Sequence, residues 1–149
     1  MKELDSPDLW VQIGIRSSGK NKAFWESSNG LQQYWADEIQ QQGYDVVAEL
    51  IATHLQSKQV EEIYITFDID ALDGNEASAT GTPERNGLKA IGCVEMIDLL
   101  SSHFKLTGAD LVEVAPFVHH AEFNQEEPKT TLRNALKILH AFERAMNPQ

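Results

Sequence analysis

The sequence predicts an α/β protein with a parallel sheet, and two neighbouring segments support this prediction. The β-branched and aromatic run from Ile63 to Phe67 is typical of a strand buried on both faces. The segment from Asp45 to Gln56, with Asp45 as a possible cap, is predicted to be a helix. Its apolar stripe comprises Val46, Val47, Leu50, Ile51 and Leu55. A helix that leads into a buried strand is the repeating unit of α/β folds.

The segments before this unit are predicted from turn residues and periodicity. Leu9 to Ile15 is expected to be a buried strand, and the polar, serine-rich and glycine-rich segment from Arg16 to Gly30 a loop. Leu31 to Gln42 has no decisive period, so a helix and a short strand both remain open, and Gly43 ends it.

The segments after the central strand continue the alternation of helices and strands. Leu88 to Phe104 is predicted to be a packing helix, Leu106 to Val114 a strand and Ala115 to Lys129 a loop. Thr130 to Met146 is the predicted closing helix, and its apolar positions are Leu132, Leu136, Ile138, Leu139 and Phe142. The whole chain, residues 1–149, is expected to form a single domain.

Composition limits the classes of function. The formal net charge of −11 disfavours nucleic acid and anionic membranes as partners. The single cysteine, Cys93, is consistent with a reducing compartment and is expected to be a small buried residue in a helix. We find no signal-peptide pattern and no stretch of membrane-spanning length, so the sequence predicts a cytoplasmic protein.

Acidic residues follow the central strand. Asp68 and Asp70 leave the same face if the strand continues to Asp70, and Asp73 adds a third acid. Ligands of open α/β sheets bind beyond the carboxyl ends of strands, and hard divalent metals prefer oxygen donors. These acids therefore indicate a metal site. The alternative is that they form turns and caps, as Asp73-Gly74 does in an ordinary turn.

Two later segments also carry polar residues of interest. Glu113 lies near the carboxyl end of an apolar strand, where a carboxylate is expected to meet a cation or to face the crevice. The following loop holds His119, His120, Glu122 and Glu126. A surface role is favoured for the two histidines over metal binding, because adjacent residues on an extended loop point apart.

Three motifs resemble the ureohydrolase family, the binuclear manganese hydrolases that include arginase, agmatinase, guanidinobutyrase and formimidoylglutamase. They are FDIDALD followed by ATGTPE, VQIGIR at residues 11–16, and GADLVEVAP at residues 108–116. The resemblance implies a three-layer α/β/α fold with a mainly parallel sheet. It also implies a guanidino or amidino substrate and Mn²⁺ as cofactor.

The resemblance assigns roles to four residues. It implies that Asp68 and Asp70 bind manganese, and that Thr82 and Glu113 line the substrate pocket and contact an amidinium-type group. A metal pair about 3.5–4 Å apart holds a bridging hydroxide, whose attack releases urea, or formamide from a formimino substrate.

The sequence also departs from the family pattern. It lacks the histidine and the Asp-x-His-x-Asp segment that supply the family's other metal ligands, so it looks like the C-terminal half of a ureohydrolase. Asp68 and Asp70 alone are expected to hold a divalent ion weakly. Gly74 stands where the family usually has proline, and Ser17 to Lys22 lacks the acids with which arginases hold an α-amino group. The second departure favours agmatinase-like or guanidino-acid substrates.

Two classes of function remain open. The first is a hydrolase that is active once its N-terminal half comes from another chain or from sequence beyond these residues. A homo-oligomer, or a partner that supplies this half, is expected. The second is an inactive binding or assembly module that keeps the fold. A phosphatase-like use of the acid pair is a weaker third interpretation, because many folds place acids after strands.

Overall fold

A computed structural model describes residues 6–17, 19–118, 120, 122–123 and 128–147. Within these residues the strands are β1 (Val11–Ile15), β2 (Gln32–Trp35), β3 (Glu62–Asp68) and β4 (Lys105–Val112). The α-helices of the same ranges are α1 (Lys22–Asn29), α2 (Ala36–Gln42), α3 (Tyr44–Ser57), α4 (Ala90–His103) and α5 (Lys129–Met146). Short 3₁₀ turns cover Pro7–Leu9 and Ile69–Ala71.

The strands form two separate two-stranded sheets. β1 pairs with β2, β3 pairs with β4, and both pairs are parallel. Side chains from both sheets pack on one hydrophobic core, to which α3, α4 and α5 contribute most of the buried residues. The predicted α/β class with parallel strands is confirmed.

The first half contains one helix that the sequence analysis missed. Lys22–Asn29 is helical, although the segment to Gly30 was predicted to be a loop. The Asn21 side chain caps the helix by accepting a hydrogen bond of 3.0 Å from the Phe24 N–H, and Gly30 closes it with φ of +67°. The cap and the glycine fit the ordinary rules for helix ends, so these two residues were the available signals.

The ambiguous segment from residue 31 to 42 contains both of the structures that were considered. Gln32–Trp35 is strand β2 and Ala36–Gln42 is helix α2. Gly43 ends the helix as predicted, with φ of +104°. A four-residue strand followed directly by a helix has no single period, which explains why periodicity did not separate them.

Three of the five residues in the predicted apolar stripe of α3 are buried, namely Val47, Ile51 and Leu55. Val46 and Leu50 of that stripe are exposed, as is Ile91 in α4. The buried faces of α3 and α4 contain small residues as well as large ones. Their buried residues are Val47, Ala48, Ile51, Ala52, Leu55, Ala90, Gly92, Cys93, Met96, Ile97 and Leu100. The predicted stripe of α3 was therefore right for three of its five residues, wrong for Val46 and Leu50, and lacked the buried Ala48 and Ala52.

Strand β3 is not buried on both faces as predicted. Exposure alternates along it, and Tyr64 is 61% exposed while Ile63 and Ile65 are half-buried. β1 is likewise half-buried except at Gly14, and it is shorter than predicted because Leu9 belongs to the 3₁₀ turn. Parallel strands are normally covered on both faces. Nothing in the described part of the chain covers the face of β3 that carries Tyr64, and this explains why the predicted burial on both faces is wrong.

Helix α5 anchors the loop that follows β3. The Thr131 hydroxyl accepts a hydrogen bond of 3.0 Å from the Ala79 N–H, and Asn134 Nδ2 donates to the Glu76 carbonyl at 2.9 Å. Ile138 and Phe142 are buried as expected, whereas three of the predicted apolar positions, Leu132, Leu136 and Leu139, are exposed.

Cys93 is buried in α4, as expected. Burial raises the pKa of its thiol to about 12, with a smaller contribution from Glu76. Of the helices in the described ranges, none has the length and apolar character needed to span a membrane.

Candidate active site

The site begins where strand β3 ends. β3 stops at Asp68, and residues Ile69–Ala71 form a 3₁₀ turn, so the extended geometry does not persist to Asp70. Asp68 caps this turn, with Oδ1 accepting a hydrogen bond of 3.0 Å from the Asp70 N–H. The turn keeps the two acids adjacent by a local hydrogen bond and not by strand alternation.

Thr82 joins this acid pair from the following loop. Its hydroxyl donates to Asp70 Oδ2 at 2.8 Å. The loop is held in place by parallel bridges between Leu72 and Leu88 and between Asp73 and Glu84. The structure therefore brings together Asp70 and Thr82, which lie twelve residues apart in the sequence.

Glu113 reaches the site from the end of β4. Its Oε2 lies 3.8 Å from the position that a Cβ on Gly81 would occupy, so the carboxylate lies beside the loop that carries Thr82. Glu113 has φ of +63°, a left-handed conformation that is rare for a side chain of this type. Strained backbone of this kind occurs preferentially at functional sites.

The acids share one electrostatic environment. Burial raises the pKa of Asp68, and the negative charges of Asp70 and Glu113 raise it further, against the opposing hydrogen bond from the Asp70 N–H. A cation bound at this position would offset the repulsion among the three carboxylates.

Arg16 is a site residue that the sequence analysis did not single out. Its Nη2 donates to the Asp70 carbonyl at 2.6 Å, and its Nη1 donates to the Ala71 carbonyl at 2.9 Å. The guanidinium also lies 4.0 Å from Asp70 Oδ1 and 4.0 Å from Glu84 Oε2. Its position directly after a predicted strand, at the same sheet end as the acids, was the available signal.

Asp73 belongs to the loop and not to the acid cluster. It is buried and accepts hydrogen bonds from the Asn75 N–H, from Asn75 Nδ2 and from the Asn86 N–H at 3.0, 2.9 and 2.8 Å. Burial acts to raise its pKa, but these hydrogen bonds outweigh that effect and lower it. The turn-forming interpretation of Asp73 is therefore correct.

The histidine loop is described only in part. His120 Nε2 lies 3.1 Å from the Thr80 carbonyl, and its Nδ1 lies 3.9 Å from Glu122 Oε1. His120 thus contacts the backbone of the loop that carries Thr82, while His119 and Glu126 lie outside the described residues.

A neighbouring ring explains why position 74 is a glycine and not the proline of the family pattern. A Cβ built on Gly74 would meet the ring of Phe123, which Arg85 in turn covers at 5.3 Å from the ring centroid. The aromatic ring occupies the space that a proline would need.

The donor atoms suit a hard cation but form an incomplete set. Asp68 and Asp70 offer the carboxylate oxygens that divalent metals such as Mn²⁺ prefer. Within the part of the chain that the structure describes, no group of three or more His, Cys, Asp or Glu side chains is arranged to hold a metal ion.

The strained conformation of Glu113 predicts a difference between two variants. Glu113→Gly and Glu113→Ala remove the same carboxylate, but only glycine adopts the left-handed conformation without cost. We expect Glu113→Gly to be more stable than Glu113→Ala by about 0.5–1 kcal/mol in urea unfolding. Equal stabilities of the two variants would contradict a strained backbone at this position.

Fold and site together define an α/β protein whose polar side chains gather beyond the carboxyl ends of parallel strands. A sequence model of the arginase family matches residues 1–142. The chain therefore belongs to the arginase family, and the resemblance inferred from the three motifs is confirmed.

Individual relatives are similar to this chain over most of its length. The mitochondrial arginase-2 of Mus musculus is 34% identical over 134 residues, which cover 90% of this chain and 37% of that protein. The agmatinase of Bacillus anthracis is 31% identical over 121 residues, which cover 80% of this chain and 39% of that protein.

A solved structure shows the same fold. The arginase of Bacillus subtilis subsp. subtilis str. 168 superposes with a TM-score of 0.77 at 24% sequence identity, covering 96% of this chain and 46% of that one. The arginase-like fold is thereby confirmed, and the chain spans less than half the length of these relatives.

Proposed function

We propose that this chain forms one half of the active site of a manganese-dependent hydrolase that cleaves linear guanidino or amidino compounds. The observation that carries the proposal is the convergence of Asp68, Asp70, Thr82 and Glu113 at the carboxyl ends of β3 and β4 in a member of the arginase family. The similarity of this chain to both arginases and agmatinases supports a small-molecule substrate of this chemical class.

Asp68 and Asp70 are the residues that would hold Mn²⁺. The raised pKa of Asp68 and the neighbouring negative charges of Asp70 and Glu113 support a cation at this point. When bound, manganese lowers the pKa of water towards neutrality and so supplies a nucleophile. Thr82 fixes the orientation of Asp70 by its hydrogen bond of 2.8 Å.

Glu113 is the residue that would hold the substrate. Its exposed carboxylate can accept paired, charge-assisted hydrogen bonds from a guanidinium or amidinium group. Thr82 is also exposed, and its hydroxyl oxygen is a further acceptor for such a group. The lack of acids between Ser17 and Lys22 favours substrates without an α-amino group, such as agmatine or a guanidino acid. A formimino compound is the alternative substrate.

A binding or assembly module without turnover is the alternative function. It is favoured by the incomplete metal set of the described residues. In the enzymatic proposal, the further ligands come from a partner chain that supplies the N-terminal half, from an oligomer of this chain, or from sequence beyond these residues. The single cysteine, the buried Cys93, is consistent with a cytoplasmic location.

Calorimetric titration of Mn²⁺ into the full chain tests the metal assignment. We expect weak binding, with a Kd of about 0.1–1 mM, because two carboxylates make a poor donor set. Asp68→Ala should abolish it, whereas Asp98→Ala, which removes an exposed carboxylate paired with Arg144, should leave it unchanged.

Other results of the titration have clear meanings. Unchanged Mn²⁺ affinity in Asp68→Ala would refute the assignment of Asp68 as a ligand. Tight binding of two ions per chain, with an oligomeric mass in the same buffer, would mean that an oligomer completes the site. Urea release from agmatine, guanidinobutyrate and arginine would then be measured.

A further inference from the structure

Thr82 and Glu113, the two residues proposed to contact the substrate, lie on different segments of the chain. Thr82 belongs to the loop that follows β3, and Glu113 comes directly after the last residue of β4. A guanidinium or amidinium group that contacts both side chains needs a fixed spacing between the two segments, because a binding group displaced by about 1 Å loses much of its effect. The contacts that hold the segments together therefore bear on substrate binding.

One backbone hydrogen bond joins the two segments. The Ala115 N–H donates to the Ala79 carbonyl at 2.9 Å. The carboxylate of Glu113 lies beside Gly81, with Oε2 at 3.8 Å from the position of a Cβ on that glycine. Position 79 thus meets position 115 and position 81 meets position 113, so the segments run in opposite directions where they cross. A displacement of the Ala79 peptide would therefore change the spacing between Thr82 and Glu113.

Helix α5 holds the other side of the same peptide. The Ala79 N–H donates to the Thr131 hydroxyl at 3.0 Å, and both residues are fully buried. A buried N–H that loses its acceptor is unfavourable, so the peptide would move if this hydroxyl were removed. Ala79 therefore links α5 to the segment that carries Glu113.

The loop leaves the protein interior immediately after this contact. Ala79 and Thr80 are fully buried, whereas Gly81 and Thr82 are exposed. The Thr80 carbonyl lies 3.1 Å from His120 Nε2, which gives the loop a further contact with the segment after β4. The buried part of the loop thus ends two residues before Thr82, and its position determines where Thr82 emerges.

We propose that Thr131 is a positioning residue for substrate binding, whose hydroxyl sets the spacing between Thr82 and Glu113 through the Ala79 peptide. The inference rests on the proposed function, because it takes Thr82 and Glu113 as the residues that contact the substrate. Thr131 is fully buried and acts only through the loop. Its hydroxyl oxygen, and not the size of its side chain, makes the contact with Ala79.

Different contacts hold the acid pair. Arg16 donates to the carbonyls of Asp70 and Ala71, and Asp68 accepts a hydrogen bond from the Asp70 N–H. None of these hydrogen bonds involves Thr131. We therefore expect the Thr131 hydroxyl to affect the substrate-binding residues more than the turn that carries the acids.

The test compares variants of the full chain by NMR, with agmatine as the probe. In the unaltered chain agmatine should shift the amide signals of Thr82 and Glu113 with one common Kd. Thr131→Val removes the hydroxyl at similar side-chain size, and it should raise this Kd at least about fivefold. It should also speed amide exchange at Ala79 and Ala115 at least about tenfold. Thr131→Ser keeps the acceptor oxygen and should bind agmatine within about twofold of the unaltered chain.

Ile138→Val is the matched control for a general loss of stability. Ile138 lies further along α5 and is fully buried, so this substitution leaves a small cavity in the core without removing the contact to Ala79. The agmatine Kd of Ile138→Val should therefore equal that of the unaltered chain.

A measurement on the unaltered chain tests the same coupling without a substitution. Because coupling between two sites is reciprocal, saturating agmatine should slow amide exchange at Ala79 and Ala115. If Thr131→Val does not fold, this protection decides, and its absence would overturn the inference.

Three further results would also overturn it. These are an unchanged agmatine Kd in Thr131→Val, an equal rise of the Kd in Ile138→Val, or no recovery in Thr131→Ser. If agmatine shifts neither Thr82 nor Glu113 in the unaltered chain, the proposed substrate site is refuted instead. Amide exchange then decides the role of Thr131, because faster exchange at Ala115 in Thr131→Val would still show that the hydroxyl holds the two segments together, and unchanged exchange would show that it does not.

Discussion

Replacing Gly87 with alanine is expected to destabilise the fold by at least about 3 kcal/mol, or to prevent folding. A Cβ at this position meets backbone atoms of Leu72 and Asp73. That backbone cannot move away easily, because the Asp73 N–H donates to the Leu88 carbonyl at 2.9 Å and Leu72 is bridged to Leu88. Urea unfolding followed by circular dichroism measures the loss.

Gly19→Ala is the matched control for this substitution. A Cβ on Gly19 meets no atom within 4 Å, so the free energy of unfolding should change by less than about 0.5 kcal/mol. If Gly87→Ala were as stable as Gly19→Ala, the loop after β3 would not pack on Leu72 and Asp73 as described. The same loop carries Thr82, so its rigidity bears directly on the candidate site.

The sequence located the regular elements better than it predicted their burial. The run from Ile63 to Phe67 is a parallel strand, as its β-branched residues indicated. Its two-sided burial was wrong because burial depends on what covers the sheet, and the described residues leave the Tyr64 face uncovered. Val46 and Leu50 of α3 belong to the predicted apolar stripe but are exposed, because periodicity cannot specify which side of an apolar helix meets the core.

The sequence also predicted that Asp68 and Asp70 lie close together, but not which residues contact them. Asp68 and Asp70 stand two residues apart, and the structure keeps them adjacent through the Asp70 N–H. The role of Asp73 depends on Asn86, thirteen residues away, and that of Arg16 on carbonyls more than fifty residues away. Contacts of this range follow from the packing of the loop and the sheets, so residue patterns alone could not distinguish the site acid from the loop acid.

Arg16→Ala is expected to reduce the free energy of unfolding by about 2–4 kcal/mol. The Arg16 side chain is 15% exposed, and its guanidinium donates to two carbonyls of the turn that carries Asp70, at 2.6 and 2.9 Å. Without it these two backbone acceptors lose charge-assisted hydrogen bonds. Arg144→Ala, which removes an exposed ion pair with Asp98, should cost less than about 1 kcal/mol by the same urea-unfolding measurement.

Arg16→Lys separates the two interactions that this side chain makes. Lysine keeps a positive charge near Asp70 and Glu84, which lie 4.0 Å from the guanidinium, but it has no planar fork with which to reach both carbonyls. If the hydrogen bonds to Asp70 and Ala71 stabilise the turn, Arg16→Lys should lose about half as much stability as Arg16→Ala. A lysine variant as stable as the unaltered chain would mean that charge alone holds the turn. In that case Arg16 would act on the acid pair electrostatically and would not fix the backbone beneath it.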